Sequence, residues 1–543
     1  MKKHLLYVIV LGVMLTGFQQ GLSAQTLLTG KSEISSADLE SHLSFLASPL
    51  LLGRMNGEPG LEIAASYIES QIRLMGLKPA NGDCYVQPFP VIRKSMDRKK
   101  TNISIVTGNK DTMIVREPMY QIYPSGASDF EVEGEVVFAG YGIKNDNFGY
   151  NDFDGVKTEG KILIIMNRSP LSEEGLPVFE SPGESPYAGI QRKIMTLVFT
   201  KARAVLFVAD PKSGFSTLDE QYPGLAGQLG SELSLKGSSS ASIDLPGIPK
   251  MIFVHRKVAD ELLRGTGFTL EGLQKSIDSD RKPHSFEIKN KKARITEVSM
   301  TTEENLKNIA GYVEGSDPVL KDEVVIFSAH MDHIGGSGDR INTGADDNAS
   351  GCSALLELAD AFSSMPEKPL RSVVFLWVSG EEIGLYGSKY YSENPLFPVS
   401  NTIADINIDM IGRVKGIADS TDENPMSGPT TVFAIACNQS SDLLKIAEEA
   451  DVNSVIDFDY SLSGRNHPLQ LFARSDHYNF VKKDIPVLFF STGIHTDYHT
   501  PGDVIDKINF EKMELVTKAI HDIGFTLANR RERIVVDNPF SKW

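Results

Sequence analysis

Five short segments of the chain carry imidazoles and carboxylates of the kind that hold divalent cations. They are Ala329-His330-Met331-Asp332-His333, the stretch GADDNASG with Asp346 and Asp347, the pair Glu381-Glu382 in SGEEIGLYGS, Asp409 in NIDMIGR, and His499 in HTDYHTPGD. Each alone has a plainer reading: Asp347 as a helix N-cap, Glu381 and Glu382 as a solvated pair, His330 as a hydrogen-bonded core histidine. Brought together at one buried edge, they would repel and desolvate one another without a cation between them. Two histidines and three carboxylates suit one or two divalent ions of mixed nitrogen and oxygen preference, zinc first, with manganese or cobalt as alternatives. Rival hydrolase signatures are missing: the sequence has no HExxH and no GxSxG nucleophile elbow.

The elements that must position these residues are legible as four short, continuous apolar runs, Glu323 to Ala329, Ser372 to Val378, Ile403 to Ile408 and Pro486 to Phe490. Helical patterns separate them. Continuous rather than alternating runs predict a largely parallel sheet covered by helices on both faces, so the fold class is mixed α/β. In such sheets ligands bind beyond the carboxyl ends of the strands, and each of the four ends carries one of the segments above. The helix opened by GADDNASG buries Cys352, Leu355, Leu356, Ala359 and Phe362 on one stripe. Cys352 reads as a small buried apolar residue.

Upstream, Leu39 to Leu51 and Leu61 to Met75 have helical spacing, the second with Ile63, Ala64, Tyr67, Ile68 and Ile72 on one face. The basic run Arg93 to Lys100 reads as a solvated loop. From about Phe130 the texture becomes strand and turn: Val132 to Phe138, Lys161 to Met166, Ala204 to Val208 and Lys250 to Val254, with helices at Ile190 to Thr200 and Val258 to Leu263. Residues 126–285 are expected to be an inserted β-rich domain, with 25–125 and 286–543 forming the catalytic domain.

The 543 residues are 41% hydrophobic and 23% charged, an ordinary globular balance long enough for several compact units. A net charge of −17 disfavours nucleic acid and anionic lipid as partners. Three cysteines, Cys84, Cys352 and Cys437, are too few for a disulfide scaffold. Lys2 and Lys3, the apolar run Leu5 to Phe18 and the small-residue site Leu22-Ser23-Ala24 read as a signal peptide over residues 1–24, too short in its apolar part for a membrane anchor. An exported protein, periplasmic or extracellular, is expected.

The order HxD, GADDNASG, GEE, NIDM and YHTPGD resembles the co-catalytic zinc aminopeptidase family, which also contains glutamate carboxypeptidases, dipeptidases and the transferrin receptor. The resemblance covers roughly residues 36–90 and 295–530. GYGI, GKILIIMN and KARAVLFVADP, within 126–285, resemble a protease-associated (PA) domain. Position by position, the resemblance implies that His330 and Asp409 hold one zinc, that Glu382 and His499 hold another, and that Asp347 bridges them. It implies Glu381 as general base, Asp332 as the acid that orients the His330 imidazole, and Tyr498 as a donor to the oxyanion. Two cations about 3.5–4 Å apart would activate a shared water for attack on a peptide carbonyl.

Around this set, Asp346 reads as a turn or capping residue. His333, His495 and Asp497 line the substrate pocket or serve packing, and Arg474, Asp476 and His477 in FARSDHYNF match a family segment near the substrate. The leading expectation is an exported exopeptidase that releases N-terminal residues from peptides. A carboxypeptidase or dipeptidase would need a cationic pocket, with Arg465 and Arg474 as candidates. A glutaminyl-cyclase-like acyltransferase with one zinc, and a receptor-like binding protein, are the remaining alternatives. Both fit the full ligand set less well.

Overall fold

The computed structural model describes residues 30–97, 99–108, 110–115, 120–122, 129–172, 177–179, 189–217, 220, 231–238, 248–338, 340–416, 424–436, 438–464 and 467–542. The signal-peptide reading of residues 1–24, Cys437 and Arg465 lie outside them. Two compact units divide the chain, one formed by residues 1–90 with 305–543, the other by 91–304.

The first unit contains β1 (Ser299–Val313, in the part after 304), β2 (Val324–His330), β3 (Ser372–Val378), β4 (Thr402–Ile408), β5 (Thr431–Ala436), β6 (Asp457–Asp459) and β7 (Val487–Ser491). They lie side by side in the order β1-β3-β2-β4-β7-β5-β6. The four central strands, β3, β2, β4 and β7, are mutually parallel, while β1 and β5 join them antiparallel. These four are the continuous apolar runs of the sequence, and every residue in them is buried.

Burial on both sides follows from alternation within each strand. Val325, Phe327, Val373, Phe375, Trp377, Ile406 and Phe490 enter one core with helices α1 (Ser36–Leu46), α2 (Pro59–Leu74), α3 (Gly351–Ser364), α5 (Ser441–Asn453) and α6 (Phe510–Asn529). Val324, Ile326, Val374, Leu376 and Phe489 enter the other with Tyr391 of α4 (Tyr386–Glu393) and Phe480. The helices begin where their caps say: Ser35 accepts from the Asp38 amide, Ser440 from Leu443, Asn509 from Lys512, and α2 starts on Pro59. The α2 stripe runs through Leu61, Ala64, Ala65, Ile68 and Ile72, and Ile63 is 46% exposed rather than part of it.

The second unit has its own sheet, ordered Lys110–Val115, Asn102–Thr107, Phe286–Glu297, Phe130–Phe138, Ile162–Met166, Ala204–Val208, Lys250–Val254 and Tyr120–Ile122. The expected divisions at 125/126 and 285/286 therefore shift to 90/91 and 304/305. The reason is register: Phe286–Glu297 pairs with both Asn102–Thr107 and Phe130–Phe138, so those strands cannot be parted. Nor is Arg93 to Lys100 a loop throughout, because Arg93 to Met96 close a strand and Arg93 pairs with Glu304 at 2.7 Å.

Candidate metal centre

The carboxyl ends of β2, β3, β4 and β7 deliver the site. His330 is the last residue of β2, and Asp409 directly follows β4. Between His330 and α3 the chain turns back through Gly344, at φ 57°, where a Cβ would lie 2.1 Å from the Asp347 carbonyl oxygen and 2.6 Å from Cδ2 of His333. Asp347 itself is non-helical (φ −101°, ψ 95°), which carries its side chain off the axis of α3. Asp503 fixes this turn by accepting from the main-chain N–H of Asp346 at 3.0 Å and of Asp347 at 3.1 Å.

Two sets of donors share Asp347. Its Oδ1 stands 3.4 Å from Nε2 of His330, which is also 3.3 Å from Asp409 Oδ1. Its Oδ2 stands 3.1 Å from Nε2 of His499, which is also 3.1 Å from Glu382 Oε2. The donor atoms of His330, Asp347 and Asp409 fall within 4.8 Å of one another, and so do those of His333, Asp347, Glu382 and His499. All five residues expected as ligands are thus brought together, with one carboxylate facing both groups. Buried imidazoles and carboxylates at this spacing fit divalent cations of zinc type.

The electrostatics agree. The carboxylates of Asp347 and Glu382 push the His499 imidazole up to about 10, against burial, which lowers it. Burial raises Glu382, yet hydrogen bonds from His333 and His499 hold it well below the usual carboxylate range. Glu381 is pushed the other way, well above that range, first by burial and then by its acidic neighbours Glu382, Asp476 and Asp409, with His330 opposing. Two adjacent glutamates are therefore driven apart, one toward an anionic ligand and one toward a proton carrier.

Glu381, His330, Asp347 and Asp409 line an open cleft of about 470 Å³ together with Met410, Leu471, Arg474, Phe489, Ile494 and Tyr498. Tyr498 stacks on His499 with ring centres 3.8 Å apart, and burial raises its hydroxyl pKa. Arg474 lies in this lining. Asp476 and His477 are buried, Asp476 raised to about 7 by burial and the His477 Nε2–H donating to the Phe472 carbonyl oxygen at 2.7 Å. A carbonyl oxygen only accepts, so His477 carries its proton on Nε2.

Asp332 departs from its expected part. The His330 Nδ1 atom is 3.2 Å from the main-chain oxygen of Asp332 and 3.9 Å from its carboxylate. That carboxylate instead accepts from the Asn56 amide at 2.6 Å and from the main-chain N–H groups of Glu381 and Glu382 at 3.2 Å each. Asp346 faces away from the donor cluster, accepting from the Gly412 N–H at 2.6 Å and lying 3.4 Å from His495 Nε2. Asp497 is tied to Arg413 and Lys507, each at 2.7 Å. The Cys352 thiol is buried and donates to the His330 carbonyl oxygen at 3.0 Å.

Sequence reasoning missed several supports. The fully buried Arg54 guanidinium donates to the carbonyl oxygens of Met331 (2.9 Å), Thr343 (2.7 Å) and Gly344 (3.0 Å), lacing together the loops that carry His330 and Asp347. Ser475 donates to Asp409 Oδ2 at 2.7 Å. Asp503 lay in the quoted YHTPGD, which was the one available signal. Arg54 and Asn56 had none.

Residues 308–523 match the family model described as Peptidase family M28. A protein named "Probable leucine aminopeptidase" from Arthroderma otae is 29% identical over 220 residues, 39% of this chain and 56% of that protein. An aminopeptidase of Bacillus subtilis is 29% identical over 236 residues, 41% of this chain and 45% of its own length. The chain thus spans about half the length of these curated relatives. In architecture it is similar to a solved zinc aminopeptidase from Bacillus subtilis, with TM-score 0.52, 16% identity, and 93% of this chain and 98% of that one covered. An aminopeptidase from Aneurinibacillus sp. gives TM-score 0.50 at 18% identity, over 94% and 98% of the two chains. Over residues 308–523, the chain is thus similar to peptidase family M28.

Proposed function

We propose that this protein is an exported, zinc-dependent aminopeptidase that hydrolyses the N-terminal peptide bond of peptides. The observation that carries the reading is Asp347, whose two carboxylate oxygens face two separate donor groups beside a cleft that also contains Glu381. His330 and Asp409 would hold one ion, Glu382 and His499 the other, with Asp347 shared. When bound, such a pair supplies an activated water and polarises the scissile carbonyl.

The chain's own residues do the rest. Glu381, on the cleft wall and free to carry a proton, takes one from water at a carboxylate oxygen and delivers it to the departing amine. The elevated affinity of Glu381 for protons suits the delivery step. Tyr498, with its hydroxyl kept protonated, donates to the developing oxyanion. Asp332 grips the turn that aims Glu381 and Glu382. The apolar walls, Met410, Leu471, Phe489 and Ile494, exclude water and fit an apolar substrate side chain.

Export rests on the basic, apolar and small-residue order of residues 2–24. Among the described residues no helix is long and apolar enough to cross a membrane. The PA-like reading of 126–285 rests on its quoted sequence stretches. A second reading, carboxypeptidase or dipeptidase, is favoured by one observation, the presence of Arg474 on the same cleft as Glu381.

The test uses one peptide set with the N-terminus free and acetylated, incubated with the zinc-loaded protein. Cleavage of the free form alone, releasing the first residue, is the expected result. Release from the carboxyl end of both forms would move the assignment to the second reading.

A further inference from the structure

His333 stands outside the ligand set implied by the sequence, yet its side chain is fully buried inside the cluster. Its Nδ1 atom is 2.8 Å from Glu382 Oε1 and 3.6 Å from Asp347 Oδ2. These are the same two carboxylates that His499 faces at 3.1 Å each. The two imidazole rings stand nearly perpendicular, 72° apart with centres at 5.6 Å, so neither blocks the other. Four donor atoms, from His333, Asp347, Glu382 and His499, converge within 4.8 Å.

We infer that His333 is a further metal ligand of this chain, binding through Nδ1 the same zinc ion as Glu382, His499 and Asp347. The inference rests on the two-ion reading above and goes beyond it by making the two positions unequal. One ion would have four protein donors, two of them imidazoles, and the other three, from His330, Asp347 and Asp409.

The packing leaves His333 little else to do. Its ring touches the Gly344 turn so closely that a single added methyl group there would overlap Cδ2 at 2.6 Å, which fixes the direction of Nδ1. The main-chain N–H of His333 donates to the Arg54 carbonyl oxygen at 3.1 Å, anchoring the backbone beneath the ring. Its Nε2 atom has no hydrogen-bond partner among the described residues, so no acceptor draws the ring away from the carboxylates.

The inequality extends to the cleft. Its lining includes His330, Asp347 and Asp409 but neither His333, Glu382 nor His499. The three-donor position therefore lies on this cleft, and the four-donor position, though its His499 side chain is 34% exposed, has the extra protein donor that retains its ion longer when metal is withdrawn.

The decisive experiment is the crystal structure of the zinc-loaded full chain with anomalous scattering at the zinc edge, paired with chelator competition on wild type, His333→Ala and His333→Gln. Expected are zinc within about 2.0–2.2 Å of His333 Nδ1 and a loss of more than about 100-fold in affinity at the tighter step in both variants, beyond the roughly 10–100-fold that loss of an outer hydrogen bond costs. Zinc at Glu382 and His499 with His333 Nδ1 more than about 3 Å away would overturn the inference while leaving the proposed function intact. An affinity loss of less than about 100-fold in both variants would likewise reduce His333 to a hydrogen-bond donor for Glu382. No zinc at either donor group in wild type would overturn the inference and the proposed function together.

Discussion

The carboxylate of Asp332 accepts a hydrogen bond from the main-chain N–H of Glu381 at 3.2 Å, so the acid two residues after His330 holds the turn that carries Glu381, the proposed base. Its other oxygen takes the Glu382 N–H at the same distance and the Asn56 amide at 2.6 Å. Asp332→Ala frees that turn without removing a donor to zinc. The expected outcome is a fall in kcat of about 10–100-fold with KM changed much less, measured on a free-amine peptide at full zinc occupancy. An unchanged kcat would show that the turn holds itself.

Arg54 tests the loops rather than the ligands. Its guanidinium is buried and serves the carbonyl oxygens of Met331, Thr343 and Gly344. Arg54→Met leaves those acceptors without a donor, at about 1–3 kcal/mol each, and is expected to lower stability by about 3 kcal/mol or more and to weaken zinc binding. Denaturant unfolding of the metal-free protein isolates the first effect. A variant as stable as wild type would contradict the assignment.

Metal removal is expected to destabilise the first unit. Asp347, Glu381, Glu382 and Asp409 crowd one buried region, and a cation bound only by the folded state adds on the order of 4 kcal/mol at a thousandfold excess over its dissociation constant. Thermal unfolding with zinc and with a chelator measures this directly. Equal transitions in the two conditions would mean that the cluster holds no ion of consequence.

The second unit carries a pH dependence of its own. Lys193 is buried and donates to the carbonyl oxygens of Tyr141, Met166 and Arg168. Burial lowers its amine to about 7, against the carboxylates of Asp152 and Asp210. The unfolded lysine titrates near about 10.4, so between the two values the unfolded chain binds a proton that the folded chain does not, and stability rises with pH through that window. Raising the pH from about 7 to about 9 is expected to stabilise wild type by on the order of 2 kcal/mol relative to Lys193→Met. Parallel pH profiles for the two proteins would refute this.

The sheet and the candidate ligands at its edge were legible because they share one signal. Each central strand is a continuous apolar run, and two of them end on or directly before a residue, His330 or Asp409, whose chemistry has no place in a core. The supports were illegible because they act on main-chain atoms distant in sequence. Arg54 reaches Met331, 277 residues away, through a carbonyl oxygen that every residue type possesses. His333 was visible as a residue but not as a direction, since the Gly344 turn decides where its ring points. The unit boundaries were misplaced because Phe286–Glu297 alternates charged and apolar residues, and only its pairing reveals to which sheet it belongs.

The central claim is that Glu381 moves the proton in a zinc-dependent hydrolysis. The most direct measurement compares wild type and Glu381→Gln for zinc content and for cleavage of a free-amine peptide, before and after chelation and zinc return. Expected are two zinc ions in both proteins, chelator-reversible cleavage in wild type, and a rate lower by about 10²–10⁴-fold in the variant. Cleavage by the variant at the wild-type rate, or by the metal-free protein, would contradict that claim.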